Sequence, residues 1–421
     1  MNKRIIKKIV FCFILLLFVG NYVSAQRFPK PEFETGHTQP APTAPTPRAL
    51  FFEYFDIAVL IAALSLTSYF ALKRRSRQGI FWVSIFSLLY FGFWREGCVC
   101  SVGSLQNITL ALFDKSYVVP ITVIAFFAIP LLFALFTGRS FCAGVCPLGA
   151  IQDIVILFPT KLPTSVSTIL GFIPYLYLGF AVLFAATGST FIICRYDPFV
   201  GIFRFNADFQ LFVLGATFLL VGVFIARPYC RFFCPYGVLL NWMSRLTNRH
   251  LTITPSTCID CKLCEHSCPF DAIQKPTPAK LPETPAKGIR RLVLLFILLP
   301  VLTIGGAMLM RQLHETLATV HPEVRLTKSL IGSEKNAALT DSLEVTTFKS
   351  TGKAVNDLYS GVTQKIDQYK TGSTILGGFF GLVIGISLIA ASVYRYRKGY
   401  TPNKGTCLSC ARCIDYCPIK E

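Results

Sequence analysis

Histidine is scarce in this chain. There are five in 421 residues, His37, His250, His266, His314 and His321, and none lies inside a long apolar run. That excludes a bis-histidine haem held between membrane helices of this chain. Charge is also thin, with Asp, Glu, Lys and Arg at 15% against 53% hydrophobic residues. So little charge, spread around apolar runs long enough to span a bilayer, excludes an ordinary soluble protein. No Walker-type phosphate loop occurs, and no Rossmann glycine fingerprint precedes a helix. The apolar runs hold almost no ionisable residues, which leaves a proton relay without carriers. Glu53 and Asp56, near the outer end of the first run, read as interfacial.

What is present is a membrane architecture. The start, MNKRIIKKIVFCFILLLFVGNYVSAQ, has a basic head, an apolar core and a small-residue site at Val23-Ser24-Ala25, the pattern of a secretory signal peptide. A Pro- and Thr-rich stretch follows and reads as an extended linker. Seven apolar segments come next, near 54–72, 79–94, 117–137, 167–188, 209–226, 292–310 and 373–394. Starting outside, they put 73–78, 138–166, 227–291 and 395–421 in the cytoplasm. Of the 41 Lys and Arg, 26 fall on that inner side, 22 in these four segments and 4 in the basic head, and 8 of the 15 outer ones lie in the single long loop 311–370. Short outer loops are therefore poor in positive charge, as membrane insertion requires. The net charge of +19 orients the protein and makes no case for nucleic acid.

Sixteen cysteines carry the chemistry. CIDCKLCEHSCP and CLSCARCIDYCP both read C-x2-C-x2-C-x3-C-P, with first cysteines 149 residues apart. Such a run wraps three thiolates round one [4Fe–4S] cluster and sends the cysteine before proline to a second. Cys258, Cys261, Cys264 and Cys417 are expected to hold one cluster, and Cys407, Cys410, Cys413 and Cys268 the other. An even number of spans must separate two such halves, and two are found. Eight matched spacings, each set ending in proline, favour clusters over zinc or idle thiols.

A second repeat, FCAGVCPLGAIQDI and YCRFFCPYGVLLNW, gives C-x3-C-P twice, 88 residues apart. It reads as a duplicated two-span unit with rough internal symmetry. Cys142, Cys146, Cys230 and Cys234 together make four ligands for a third cluster. Each pair could instead support a cluster completed elsewhere, or mark a structural turn with buried thiols. On the outer side, Cys98, Cys100 and Cys194 sit where spans emerge. They suit either an outer-face cluster with a fourth ligand such as Asp197, or a disulfide from Cys194 to one of the pair.

These residues resemble the NosR/NapH-type membrane polyferredoxins over roughly 54–421. The resemblance implies an electron carrier between quinone or cytoplasmic donors and a periplasmic reductase or flavoprotein partner, or an accessory factor that maintains such a reductase. It also implies a bacterial inner membrane location with a cytoplasmic C-terminus. Some such proteins attach FMN through a Thr in a Ser/Thr-Gly-Ala-Thr motif. KSTGKAVNDLYSGVT, in the long outer loop, lacks that motif, which argues against covalent FMN here. The expected fold is an all-α polytopic membrane protein of about seven transmembrane helices after a signal peptide, with a cytoplasmic 2[4Fe–4S] ferredoxin-like module assembled from two distant segments. The expected organisation is a signal peptide at 1–25, a periplasmic linker at 26–52 and a duplicated transmembrane C-x3-C-P unit at 53–250. The first ferredoxin half follows at 251–291, a transmembrane hairpin at 292–394 and the second half at 395–421. No acid, base or nucleophile constellation accompanies the clusters, so the role read from the sequence is electron transfer by one-electron hops, with redox sensing or reductase maturation as the alternative.

Overall fold

The computed structural model describes residues 48–97, 100–206, 208–253, 258–277, 284–335, 343–350 and 355–419. The signal peptide, most of the linker and Cys98 lie outside them. The described chain is mostly helical. Helix α1 (Leu50–Leu72) is apolar all round, yet buries only the face carrying Asp56, Leu60, Ala63, Leu64, Thr67, Ser68 and Ala71. That three-to-four spacing is a helix packed on one side. Phe52, Ile61, Leu66 and Tyr69 stay exposed opposite it, as a lipid-facing surface allows. Helix α2 (Arg77–Ser87) is capped by Ser76 and widens into a π-type turn, Leu88–Trp94. Tyr90 in that turn donates to Asp56 at 2.7 Å, while Arg48 and Arg95 pair with the same carboxylate at 3.0 and 2.9 Å. Asp56 is therefore a buried paired group, deeper than the interfacial position its sequence context suggested. Its three partners offset the cost of desolvating it.

Helix α3 (Ser101–Phe113) behaves differently. Its 13 residues rise about 20 Å, short of a bilayer core of about 30 Å. Its residues from Ser101 to Leu105 are buried, and Leu112 and Phe113 are exposed. It is a half-helix that starts in the protein interior and runs out to the surface. Helix α4 (Ile121–Thr137) returns, followed by a π-type turn at Phe141–Val145 and α5 (Pro147–Ile154). The second half of the unit holds α6 (Thr164–Leu170), α7 (Ile173–Ala186), α8 (Phe209–Gly222), α9 (Pro228–Phe232) and α10 (Pro235–Leu246), with one-turn helices between α7 and α8.

Helix α11 (Pro285–Gln312) and helix α15 (Val355–Ser392) pack along each other and are joined by α12 (His314–Ala318), α13 (Pro322–Lys335) and α14 (Leu343–Ser350). Helix α11 buries no residue in its apolar stretch, so it lies at the perimeter against α15. Small residues allow the approach. A Cβ on Gly377 would strike the Gly306 backbone, and one on Gly381 the Leu302 backbone. Among the described residues, four stretches are long and apolar enough to cross a membrane: α1, α6 with α7, α11 and α15. Helices α4 and α8 are shorter apolar helices, and the segment 79–94 falls on α2 and its π-type turn. The apolar part of α15 is preceded by polar helix from Val355, which takes in the end of the segment 311–370.

Beyond α11 and α15 the two ferredoxin-like segments meet. Strands β1 (Ile273–Gln274) and β2 (Thr401–Pro402) pair antiparallel, with Ile273 opposite Pro402. Asn403 N–H donates to the Ala272 carbonyl at 2.7 Å, and Arg397 N–H to Thr277 Oγ1 at 2.8 Å. A shared apolar core of Leu251, Ile253, Phe270, Ala272 and Leu408 closes the module.

Candidate metal centres

The two ferredoxin-like segments interleave their cysteines. Cys258, Cys261 and Cys264 line one cavity together with Cys417, which arrives from the far end of the chain. Cys407, Cys410 and Cys413 line a second cavity together with Cys268. Each cavity thus takes three cysteines from one segment and the last from the other. In the first, Cys258 and Cys261 are exposed. In the second, Cys407 and Cys413 are buried. Burial pushes the Cys407 thiol up to about 12 and raises Cys264, Cys268 and Cys413 as well. Loading a metal group on these sulfurs therefore releases protons. Backbone geometry suits the site too: Lys262 and Ala411, each just after the second cysteine of its run, take left-handed conformations at φ 61° and 57°.

Among the described residues no three His, Cys, Asp or Glu side chains close on a single-ion site. An Fe–S cube bonds its four thiolates at separate irons, so its ligands surround a volume rather than a point. Cavities ringed by four thiols fit that demand, and a lone zinc does not fit it.

The membrane unit presents its own cysteines at helix starts. Cys146 and Cys234 are N-cap residues, with Pro147 and Pro235 at the first helical position, where a missing N–H costs nothing. The amide of the glycine three residues on acts on each sulfur: Gly149 on Cys146 and Gly237 on Cys234. Those glycines also admit an arginine from the opposite half. A Cβ on Gly149 would lie 3.0 Å from an Arg227 nitrogen, and one on Gly237 3.3 Å from an Arg139 nitrogen. Arg139 and Arg227 each stand three residues before their motif's first cysteine, so the halves interlock reciprocally. The thiols of Cys142, Cys230 and Cys234 all lie within electrostatic reach of Cys146. Gln152 Nε2 donates to Cys230 Sγ at 3.2 Å, and Arg139 Nη2 approaches Cys142 Sγ at 3.7 Å.

Arg227 is the pivot. It is 1% exposed and sits at φ 48°. It pairs with Asp153 at 2.7 and 2.8 Å, donates to the Cys142 carbonyl and stacks 5.8 Å from the Phe270 ring of the ferredoxin-like module. Arg77 reaches the same carboxylate at 3.0 Å. Burial alone would push the Asp153 carboxyl up, but the two guanidiniums outweigh it and hold it down at about 2. Arg139 Nη1 donates to the Gly405 carbonyl at 3.0 Å, and Ser244 Oγ to the Lys404 carbonyl at 2.6 Å. Cys142 packs on the same apolar core as Cys264, Cys268 and Cys407. The duplicated unit and the ferredoxin-like module therefore share an interface built at the cysteines. Sequence reading missed Arg139, Arg227 and Asp153. The signal was an arginine repeated at the same offset as the cysteines.

Of the cysteines expected on the outer side, Cys100 and Cys194 are described. Cys100 caps α3 deep in the unit and lines a cavity together with Cys146 from the other repeat element, rather than resting at the surface. Cys194 is exposed and Asp197 is buried. Both act electrostatically on Cys100.

A family model described as a 4Fe-4S binding domain matches residues 119–165 and again 208–254, one match over each C-x3-C-P element. A second model with the same description matches 251–274, across the first ferredoxin-like run. NirI of Paracoccus denitrificans is 28% identical over 48% of this chain, and the regulatory protein NosR of Stutzerimonas stutzeri 26% identical over 52%. The chain is similar to the NosR/NirI-type 4Fe–4S membrane proteins. YccM of Escherichia coli, named as a candidate electron transport protein, is 27% identical over 35% of the chain. The matches span 32% of NirI, 34% of NosR and 44% of YccM, so these relatives contain much that this chain does not align with. No solved structure matches.

Proposed function

We propose that this protein is a bacterial inner-membrane electron carrier that connects cytoplasmic or quinone donors to a periplasmic reductase or flavoprotein partner. Cys258, Cys261, Cys264 and Cys417 would hold one [4Fe–4S] cluster, and Cys268, Cys407, Cys410 and Cys413 a second. Cys142, Cys146, Cys230 and Cys234 would hold a third. Bound there, the clusters supply one-electron redox chemistry. The observation that carries this reading is the crosswise sharing of cysteines between two four-thiol cavities. The chain's own residues do the positioning. Strands β1 and β2 hold the two segments in register. Arg139 and Arg227 place positive charge beside the C-x3-C-P sulfurs, which favours an anionic cluster. The basic excess on the segments around 227–291 and 395–421 supports a cytoplasmic ferredoxin-like module.

Sealed proteoliposomes with a low-potential reductant on the ferredoxin-like side and ferricyanide on the other test this function. Acceptor bleaching that depends on the protein is expected, and bleaching no faster than protein-free liposomes would overturn it. The second reading, a redox-sensing regulator or maturation factor, is favoured by the name of the relative NosR. It predicts reducible clusters without transfer across the bilayer.

A further inference from the structure

The ferredoxin-like and C-x3-C-P cysteines do not exhaust the buried thiol chemistry. Helix α3 begins at Cys100, and the short helix Ile192–Arg195 brings up Cys194. Gly103 marks where they meet. A Cβ there would lie 3.1 Å from Cys194 Sγ and 4.0 Å from the Cys100 Cβ, so only glycine leaves the gap open. This repeats the local pattern of Cys146 with Gly149 and Cys234 with Gly237. In all three a cysteine caps a helix of eight or more residues, and the glycine three on bares its amide towards the sulfur. Asp197 is 3% exposed and accepts from Phe199 and Val200 N–H at Oδ1.

Unmatched polar groups surround the spot. Ser101 is 3% exposed, lines the cavity that holds Cys100 and Cys146, and its hydroxyl has no hydrogen-bond partner. Gln106 spends its oxygen on the Ile193 N–H, beside Cys194, while its buried Nε2 has no partner. A buried donor left empty is costly, so each points to a group that occupies it.

We infer that Cys100, Cys194 and Asp197 are ligands of a further iron–sulfur cluster, seated in the outer half of the membrane unit next to the C-x3-C-P cysteines. A cluster suits the site better than one ion, because these three groups do not close on a single point. The backbone amide of Gly103 and the Ser101 hydroxyl and Gln106 amide supply the donors that an anionic sulfide core attracts. The site stands apart from the ferredoxin-like ligands, so it can fail while that reading holds.

The full-length protein, purified anaerobically in lipid nanodiscs, tests it. Cys100→Ser and Cys194→Ser should each lower iron and acid-labile sulfide by the same increment, with the electron paramagnetic resonance of the ferredoxin-like clusters retained. Unchanged iron in both variants would overturn the site. A second measurement uses the unmutated protein, in case the variants fold badly. Cys100 and Cys194 should resist maleimide until iron is removed with a chelator and oxidant, then label at least several-fold more. Equal labelling before and after removal would overturn the proposal, as would a peptide map showing Cys100 and Cys194 joined by a disulfide.

Discussion

Asp153→Asn removes one negative charge from a buried cluster that contains Arg227 and Arg77. Arg227 is 1% exposed and cannot turn to water, so the variant leaves a guanidinium desolvated with only neutral acceptors. Breaking a buried pair from one side costs about 3–5 kcal/mol. A separate route gives a consistent lower figure. The Asp153 carboxyl is held at about 2 against an ordinary 3.8, roughly two units, or about 2–3 kcal/mol of native-state preference for the carboxylate. Because the folded value is depressed, this stability is fully present above pH of about 4 and drains away as pH falls towards about 2. Denaturant titration of the protein in detergent micelles is the assay, followed over a pH series. The wild type should exceed Asp153→Asn by about 3 kcal/mol or more at pH 7, with the gap narrowing below pH 4. A difference under about 1 kcal/mol at pH 7, or one that does not narrow in acid, would refute the claim that Arg227 depends on this carboxylate.

Anaerobically prepared protein should carry at least eight iron atoms per chain, four for each ferredoxin-like cavity, by elemental analysis; fewer than about four in a well-reconstituted sample would contradict both sites. Gly381→Leu should separate α11 from α15 and cost about 1–3 kcal/mol or more in the same micelle titration, because the side chain has only the Leu302 backbone to enter. Arg139→Ala should orphan the Gly405 carbonyl, for about 1–3 kcal/mol, and expose the segment around 395–419 to limited proteolysis several-fold faster, with α1 to α5 unaffected.

The 4Fe–4S motifs were legible because they are local. C-x2-C-x2-C-x3-C-P fixes three ligands within seven residues, and its last cysteine belongs to a partner motif by the same geometry. The apolar segments were legible for a similar reason, since length and composition define them. Depth was not legible. Cys100 follows an apolar segment that by hydropathy ends at Trp94, and only the tertiary path of α3 turns the chain inward. Nor could hydropathy see that α15 begins at Val355, because the polar residues before the apolar run form helix as readily as those within it. Asp56 looked interfacial for want of its partners Arg48 and Arg95, which come from outside the helix. The Arg139–Gly237 and Arg227–Gly149 exchange was half visible. The matched offsets of arginine, cysteine and glycine lie in the sequence, but their swap between halves exists only in the packed unit.

The central claim is that each four-thiol cavity draws its last ligand from the other end of the chain, and Cys417→Ser tests it most directly. Electron paramagnetic resonance of the reduced variant should be compared with Cys261→Ser and Cys410→Ser. The account predicts that Cys417→Ser loses the signal lost in Cys261→Ser and keeps the one lost in Cys410→Ser. A spectrum of Cys417→Ser that instead matches Cys410→Ser would contradict it.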